Sequence, residues 1–283
     1  MSFNLNLPLP LPHFHDSNDS FNYLIVDGSQ IEQLEPLLQQ QDLQPQRICP
    51  TYLLPLAEVS PYIMPLTPEA MAWFVQYNQA NIGYVISSEF SIDELIDAFC
   101  DYYQVLSAYG STVFFKLGQP EAIYILLSDK TCLLWQWLTQ AWLPTREGWE
   151  HVHRDKTFEA KETRLPYRLS DVQWALLGEI SRRNCIEMVY QHLLHFFPAV
   201  LERHAAPLLW IKGWVEHANT LQFETDVDVL HFFNILALLG EEVIHSDRYL
   251  HIRQLLETPS EQTPSMRVAM ADKLAHKEAV DAK

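Results

Sequence analysis

Apolar runs of strand length alternate with capped helical segments from Tyr23 to His153, and after Arg168 the alternation stops. "YLIVDG", "ICPTYLLP", "IGYVISS" and "GSTVFFKL" read as strands, with "AWLPT" and "WEHVH" as two more near the end of this stretch. Helix-start signals stand between them. Ser29 with Glu32 and Ser91 with Glu94 have capping-box spacing, while Thr67-Pro68 and Gln119-Pro120 put proline at a first helical position. Pro36 kinks or restarts the helix it falls in, because it has no amide to donate. Pro50 confines "ICPTYLLP" to a sheet edge. Strands alternating with helices predict a layered α/β lobe, a mixed sheet with helices.

From Leu169 the texture is helical. Ser170 with Gln173 forms a further capping box, Leu169 and Trp174 occupy hydrophobic-staple positions, and one long helix runs towards Pro198. "APLLWIKGWVEHANTL" and "TDVDVLHFFNILALLG" follow as helices, the second capped by Thr225 and Asp228 and stopped by Gly240. A short helix through Tyr249 and Leu255 closes an all-α C-terminal lobe. The expected organisation is a flexible arm over 1–20, an α/β domain over 21–153, a polar linker over 154–168, a helical lobe over 169–256 and a tail over 257–283. The Ala/Lys/Glu-rich end of that tail reads as a frayed helix or a segment that orders on binding.

Charge limits the partners. The formal net charge is −17, and between Tyr23 and Glu150 four Lys/Arg stand against fifteen Asp/Glu. Such a surface repels phosphate backbones and argues against nucleic acid, while it suits a basic protein surface; carboxylates that only keep the chain soluble are the plainer explanation. No apolar run approaches the roughly 20 residues of a membrane span, and no Lys or Arg precedes Arg47 to start a signal peptide. Cys49, Cys100, Cys132 and Cys185 are widely spaced. A cytoplasmic protein with reduced thiols and no membrane insertion of its own is expected.

Catalytic, metal and cofactor constellations are not found in the sequence. His151 and His153 share one strand face, and His192 and His195 share one helix face, but neither pair has further ligands at matching spacing. Asp226 and Asp228 are explained by the helix N-terminus they occupy. Lys116, Gly118, Gln119 and Pro120 form a strand-to-helix joint: Gly118 permits the turn and Pro120 opens a helix whose Ile123, Leu126 and Leu127 cover a sheet. The tryptophans are concentrated. Trp135, Trp137 and Trp142 lie near Trp149 late in the first lobe, and Trp210 and Trp214 are four apart in the second. Their spacing fits core packing, and Trp135, Trp137, Trp142, Trp210 and Trp214 also fit the aromatic lining of a partner-binding groove.

The order "LIVDGS", "ICPTYLLPLAEVSPYIMPL", "YVISSEFSIDELIDAF", "GSTVFFKLGQPEAIYILL" resembles the α/β domain of type VI secretion effector adaptors, also called effector chaperones. "LPYRLSDVQWALLGEISRRNCIEMVYQHLLHFFP" and "TDVDVLHFFNILALLG" resemble the helical segments that follow in that family. The resemblance implies a non-catalytic cytoplasmic protein that binds the N-terminal region of an effector and helps load it onto the VgrG spike. The family often has Arg near the strand end and Asp-Pro at the helix start; here Lys116 and Gln119-Pro120 stand there, so the family's arginine–aspartate contact is not expected at this corner, and if Lys116 has an acidic partner it is another residue, such as Asp27. Two other readings remain at this point. One is an enzyme with an interlobe site around Lys116 and His151 or His153; the other is a generic protein-interaction scaffold.

Overall fold

The computed structural model describes residues 6–14, 20–159 and 166–281. Residues 1–5 and 15–19 of the expected arm, 160–165 of the linker and 282–283 of the tail lie outside these. The chain divides into two compact units, residues 1–180 and 181–283.

The first unit runs β1 (Phe21–Val26), α1 (Leu34–Gln40), β2 (Gln46–Arg47), a 3-10 helix (Thr51–Val59), β3 (Tyr62–Pro65), α2 (Pro68–Tyr77), β4 (Gly83–Ser88) and α3 (Ile92–Cys100). It continues with β5 (Gln104–Leu106), β6 (Thr112–Phe114), α4 (Pro120–Ser128), β7 (Gln140–Thr145) and β8 (Gly148–His153). Six strands form one sheet in the order β2-β3-β1-β4-β7-β8, and its neighbours pair antiparallel. Side chains alternate across it, as the strand period of two demands. Tyr23, Ile25, Tyr84, Ile86, Ala141 and Leu143 pack on one face with Leu95 and Phe99 of α3 and Ile123 and Leu126 of α4. Leu24, Val26, Val85 and Trp142 pack on the other with Leu34 and Leu38 of α1 and Phe74 of α2. This is a layered α/β lobe, as the alternation predicts.

Local signals are realised where side chain and backbone lie within one turn. Thr67 accepts the Ala70 amide at 3.1 Å, and Ser91 and Glu94 cap each other reciprocally. Three readings are corrected. Ser29 does not cap a helix: α1 starts at Leu34 behind Gln33, whose φ is 54°, and Ser29 instead donates N–H and O–H to Asp27 Oδ1 at 2.9 and 2.8 Å. "ICPTYLLP" is not a strand. Pro50 stands as N-cap and residues 51–59 form a 3-10 helix with Pro55 inside it. "GSTVFFKL" contributes only the short β6, which pairs with β5 in a separate two-stranded sheet, and Phe115 already lies past its end.

The second unit takes in most of α5 (Asp171–Phe196), then α6 (Pro198–Glu202), α7 (Pro207–Thr220), α8 (Asp226–Leu239), α9 (Leu250–Glu257) and α10 (Pro264–Asp281). Ser170 and Gln173 exchange bonds at 3.0 and 3.2 Å at the start of α5, and Thr225 accepts the Asp228 amide at 3.1 Å at the start of α8. The segment read as a tail folds as α10. Val268, Ala271 and Ala275 are buried in the same cluster as Phe232 and Phe233 of α8 and Ile252 of α9. These small and apolar side chains stand at 268, 271 and 275, the three- and four-residue spacing of one helix face. At the other end of the chain Leu7 is buried, and Pro8 O accepts the Trp149 indole N–H at 2.8 Å.

Candidate functional site

Asp27 directly follows β1 and is a buried carboxylate, 7% exposed. Its amide donates to Ile82 O at 2.7 Å, and its Oδ1 holds both donors of Ser29. Burial pushes its pKa up, while the Ser29 bonds and the Lys116 charge pull it down; burial wins. The Lys116 charge is thus near enough to act on Asp27.

The joint at Lys116–Pro120 closes over this carboxylate. Tyr84, fully buried on β4, donates its hydroxyl to Leu117 O at 2.9 Å. A Cβ placed on Gly118 would stand 2.7 Å from Asp27 Cβ and 2.8 Å from Asp27 Cα, so the glycine allows loop and strand end to touch. Gly28, the next residue along, likewise lies against the Ser60 carbonyl, which a Cβ would meet at 2.1 Å. Gln119 caps α4 through its carbonyl, which accepts from Ala122 and Ile123 at 3.1 Å, and makes no side-chain cap. Pro120, Ile123, Leu126 and Leu127 are buried, the last three in the core beneath the sheet face.

The other predicted residues fall into separate places. Trp135 and Trp142 are each 2% exposed. Trp135 donates its indole N–H to Leu127 O at 3.1 Å, and Trp142 stacks on His151 with ring centroids 5.0 Å apart. Trp137 is half-buried and meets the Phe90 ring at 4.8 Å. Trp210 is half-buried on α7, stacked on His204 at 4.4 Å with its N–H on Glu241 at 2.5 Å. Trp214 is half-buried one turn on, edge-on to His217 at 5.3 Å. Two tryptophans thus serve the interior, and three present part of their surface.

The enzyme reading needs Lys116 beside His151 or His153. His151 registers opposite Trp142, and alternation along β8 puts Trp149, His151 and His153 on the sheet face of α1 and α2, with Val152 on the other. Lys116 lies between Phe115 and Leu117, which pack on the opposite face, that of α3 and α4. The geometry therefore does not bring the lysine and the histidines together.

A polar cluster in the second unit gave no sequence signal. Asp272 of α10 is 6% exposed; its Oδ2 meets His231 Nδ1 at 2.6 Å and Asn234 Nδ2 at 3.2 Å, and its backbone carbonyl meets His276 Nδ1 at 3.0 Å. Asn234 Oδ1 in turn meets His192 Nε2 at 2.7 Å. These bonds tie α10 to α8 and α8 to α5. Among the described residues no group of three or more His, Cys, Asp or Glu is placed to hold a metal ion. Three thiols are held away from activation: burial pushes Cys132 up to about 12, and Cys100 and Cys185 up to about 11.

A layered α/β lobe with a glycine joint closed over one buried carboxylate, followed by a helical unit, is the setting in which the comparisons with known proteins fall. A family model described as a domain of unknown function, DUF4123, matches residues 22–138. The chain belongs to this family, the type VI secretion accessory and effector-adaptor family. Among curated relatives, the accessory protein VasW of Vibrio cholerae serotype O1 (strain ATCC 39315 / El Tor Inaba N16961) is 36% identical over 259 residues, 90% of this chain and 87% of that protein. No solved structure matches.

Proposed function

We propose that the chain is a cytoplasmic, non-catalytic adaptor that binds a type VI secretion effector through the effector's N-terminal region and helps load it onto the VgrG spike. The observation that carries this is family membership over nearly the whole chain, through a relative named as an accessory protein that matches 90% of it. The geometry supports it in a second way. Gly118 and Pro120, in the stretch most like a catalytic loop in sequence, serve the joint between the end of β1 and α4.

Trp137, Trp210 and Trp214 are the predicted tryptophans with surface to offer a partner, and we assign them the aromatic contacts. A half-buried indole combines apolar area with little conformational entropy to lose, which suits an anchor. The test is co-expression with a type VI secretion effector and a VgrG spike protein, followed by pull-down on the effector. Recovery of a complex containing this chain is the expected result; well-folded partners that never associate with it would remove the proposal.

A further inference from the structure

The nine residues Thr51–Val59 carry an exposed apolar stretch of the first unit. Only Leu53 and Ala57 face inward, whereas Tyr52, Leu54, Leu56 and Val59 are 59%, 62%, 50% and 52% exposed. Four large apolar side chains in solvent within eight residues exceed the scattered surface leucines of an ordinary soluble domain. Pro55 lies inside the segment, and the Tyr103 hydroxyl bonds to Ile48 O at 2.6 Å just ahead of it. At its far end Ser60 is buried against Gly28.

The chain that carries the ridge is acidic, and the cations that bound this stretch, Arg47 and Lys116, act on Glu35 and Asp27. From Ile48 to Phe115 the chain has seven Asp/Glu and no Lys, Arg or His. Two of these carboxylates, Asp97 and Asp101, are exposed on and just after α3, around Cys100, whose thiol also senses Cys49 just before the 3-10 helix. Glu58 is exposed within the helix itself. The result is an apolar ridge with an acidic flank.

We infer that this ridge is a docking element for a folded protein that offers an apolar groove rimmed by Lys or Arg. Tyr52, Leu54, Leu56 and Val59 project into solvent, so the partner supplies the groove that receives them, as in helix-in-groove recognition. The exposed carboxylates Glu58, Asp97 and Asp101 select a basic rim and repel an acidic one. The inference rests on the adaptor reading and gives it a surface other than the tryptophans.

The test uses the full chain, with the purified effector and the purified spike protein as probes, in binding titrations at two salt concentrations. Leu54→Ser with Leu56→Ser is expected to weaken one of the two complexes by about tenfold or more. Asp97→Asn with Asp101→Asn is expected to weaken the same complex less and to flatten its salt dependence. Leu209→Ser, at a 70% exposed position on α7, is expected to bind as the wild type does. All these side chains are on the surface, so melting temperatures should stay at the wild-type value.

Binding of both proteins unchanged by either double variant overturns the surface and leaves the adaptor reading standing. Wild-type chain that binds neither protein overturns both. A self-association lost in the leucine variant, with both partner complexes unaffected, assigns the ridge to a second copy and overturns the partner stated here.

Discussion

Burial holds the Asp27 proton more tightly in the folded chain than in the unfolded one, since its pKa lies above the ordinary value of 3.8. Between the two values the folded state binds more protons, so this group's contribution to stability falls as pH rises through that window. It is most favourable below 3.8 and is lost above the folded value. Asp27→Asn keeps an acceptor for Ser29 and cannot ionise. Melting curves should therefore find this variant at least as stable as wild type at neutral pH, with the difference shrinking towards about pH 4. A variant that is less stable by the same amount at every pH would contradict the assignment. Lys116→Ala removes the nearby cation and should raise the Asp27 midpoint further in an NMR titration. Gly118→Ala forces a methyl onto the Asp27 backbone and should cost roughly 1–3 kcal/mol in urea unfolding. The joint itself was legible in the sequence, because proline at a first helical position and glycine in a turn are local rules. That Gly118 must be a glycine because of Asp27, some ninety residues earlier, is a contact no local rule contains.

Elements were readable where capping chemistry and periodicity agree, as in α3 with its Ser91–Glu94 box and α8 between Thr225 and Gly240. They were misread where one residue type serves two structures. Ser29 three residues before Glu32 looks like a capping box, but the nearer Asp27 carboxylate takes its donors first. "TYLLPLAEV" is apolar enough for a strand, and only proline at both Pro50 and Pro55 hints at the tighter helix. The buried apolar residues of α10 are largely alanines, a weak signal of a buried face, and what fixes the helix is tertiary. Arg267, 4% exposed, donates to the carbonyls of Leu255, Leu256 and Thr258 at 3.0, 3.1 and 3.2 Å. It thereby satisfies the orphan carbonyls at the end of α9. Arg267→Met keeps the chain length and removes these donors, and thermal or urea unfolding should register a loss of about 1–3 kcal/mol. Arg267→Lys, which keeps the charge and some donors, should recover part of it.

At the scale of the molecule, no helix among the described residues is long and apolar enough to cross a membrane, and the acidic charge is concentrated in the α/β lobe. An α/β lobe followed by helices was legible because strand and helix periods change where the fold changes. Which faces meet partners was not, because tryptophan spacing alone does not separate the interior Trp135 and Trp142 from the half-buried Trp137, Trp210 and Trp214. Replacing the last two together by alanine should weaken effector capture while leaving Trp135 and Trp142 to hold the other unit's core, which a pull-down paired with a melting curve would register. The most direct measurement of the central claim is recovery of effector with VgrG from cells that carry or lack this chain, with all three proteins expressed and soluble. The adaptor account predicts effector on the spike only when the chain is present. Equal recovery in its absence would contradict that account.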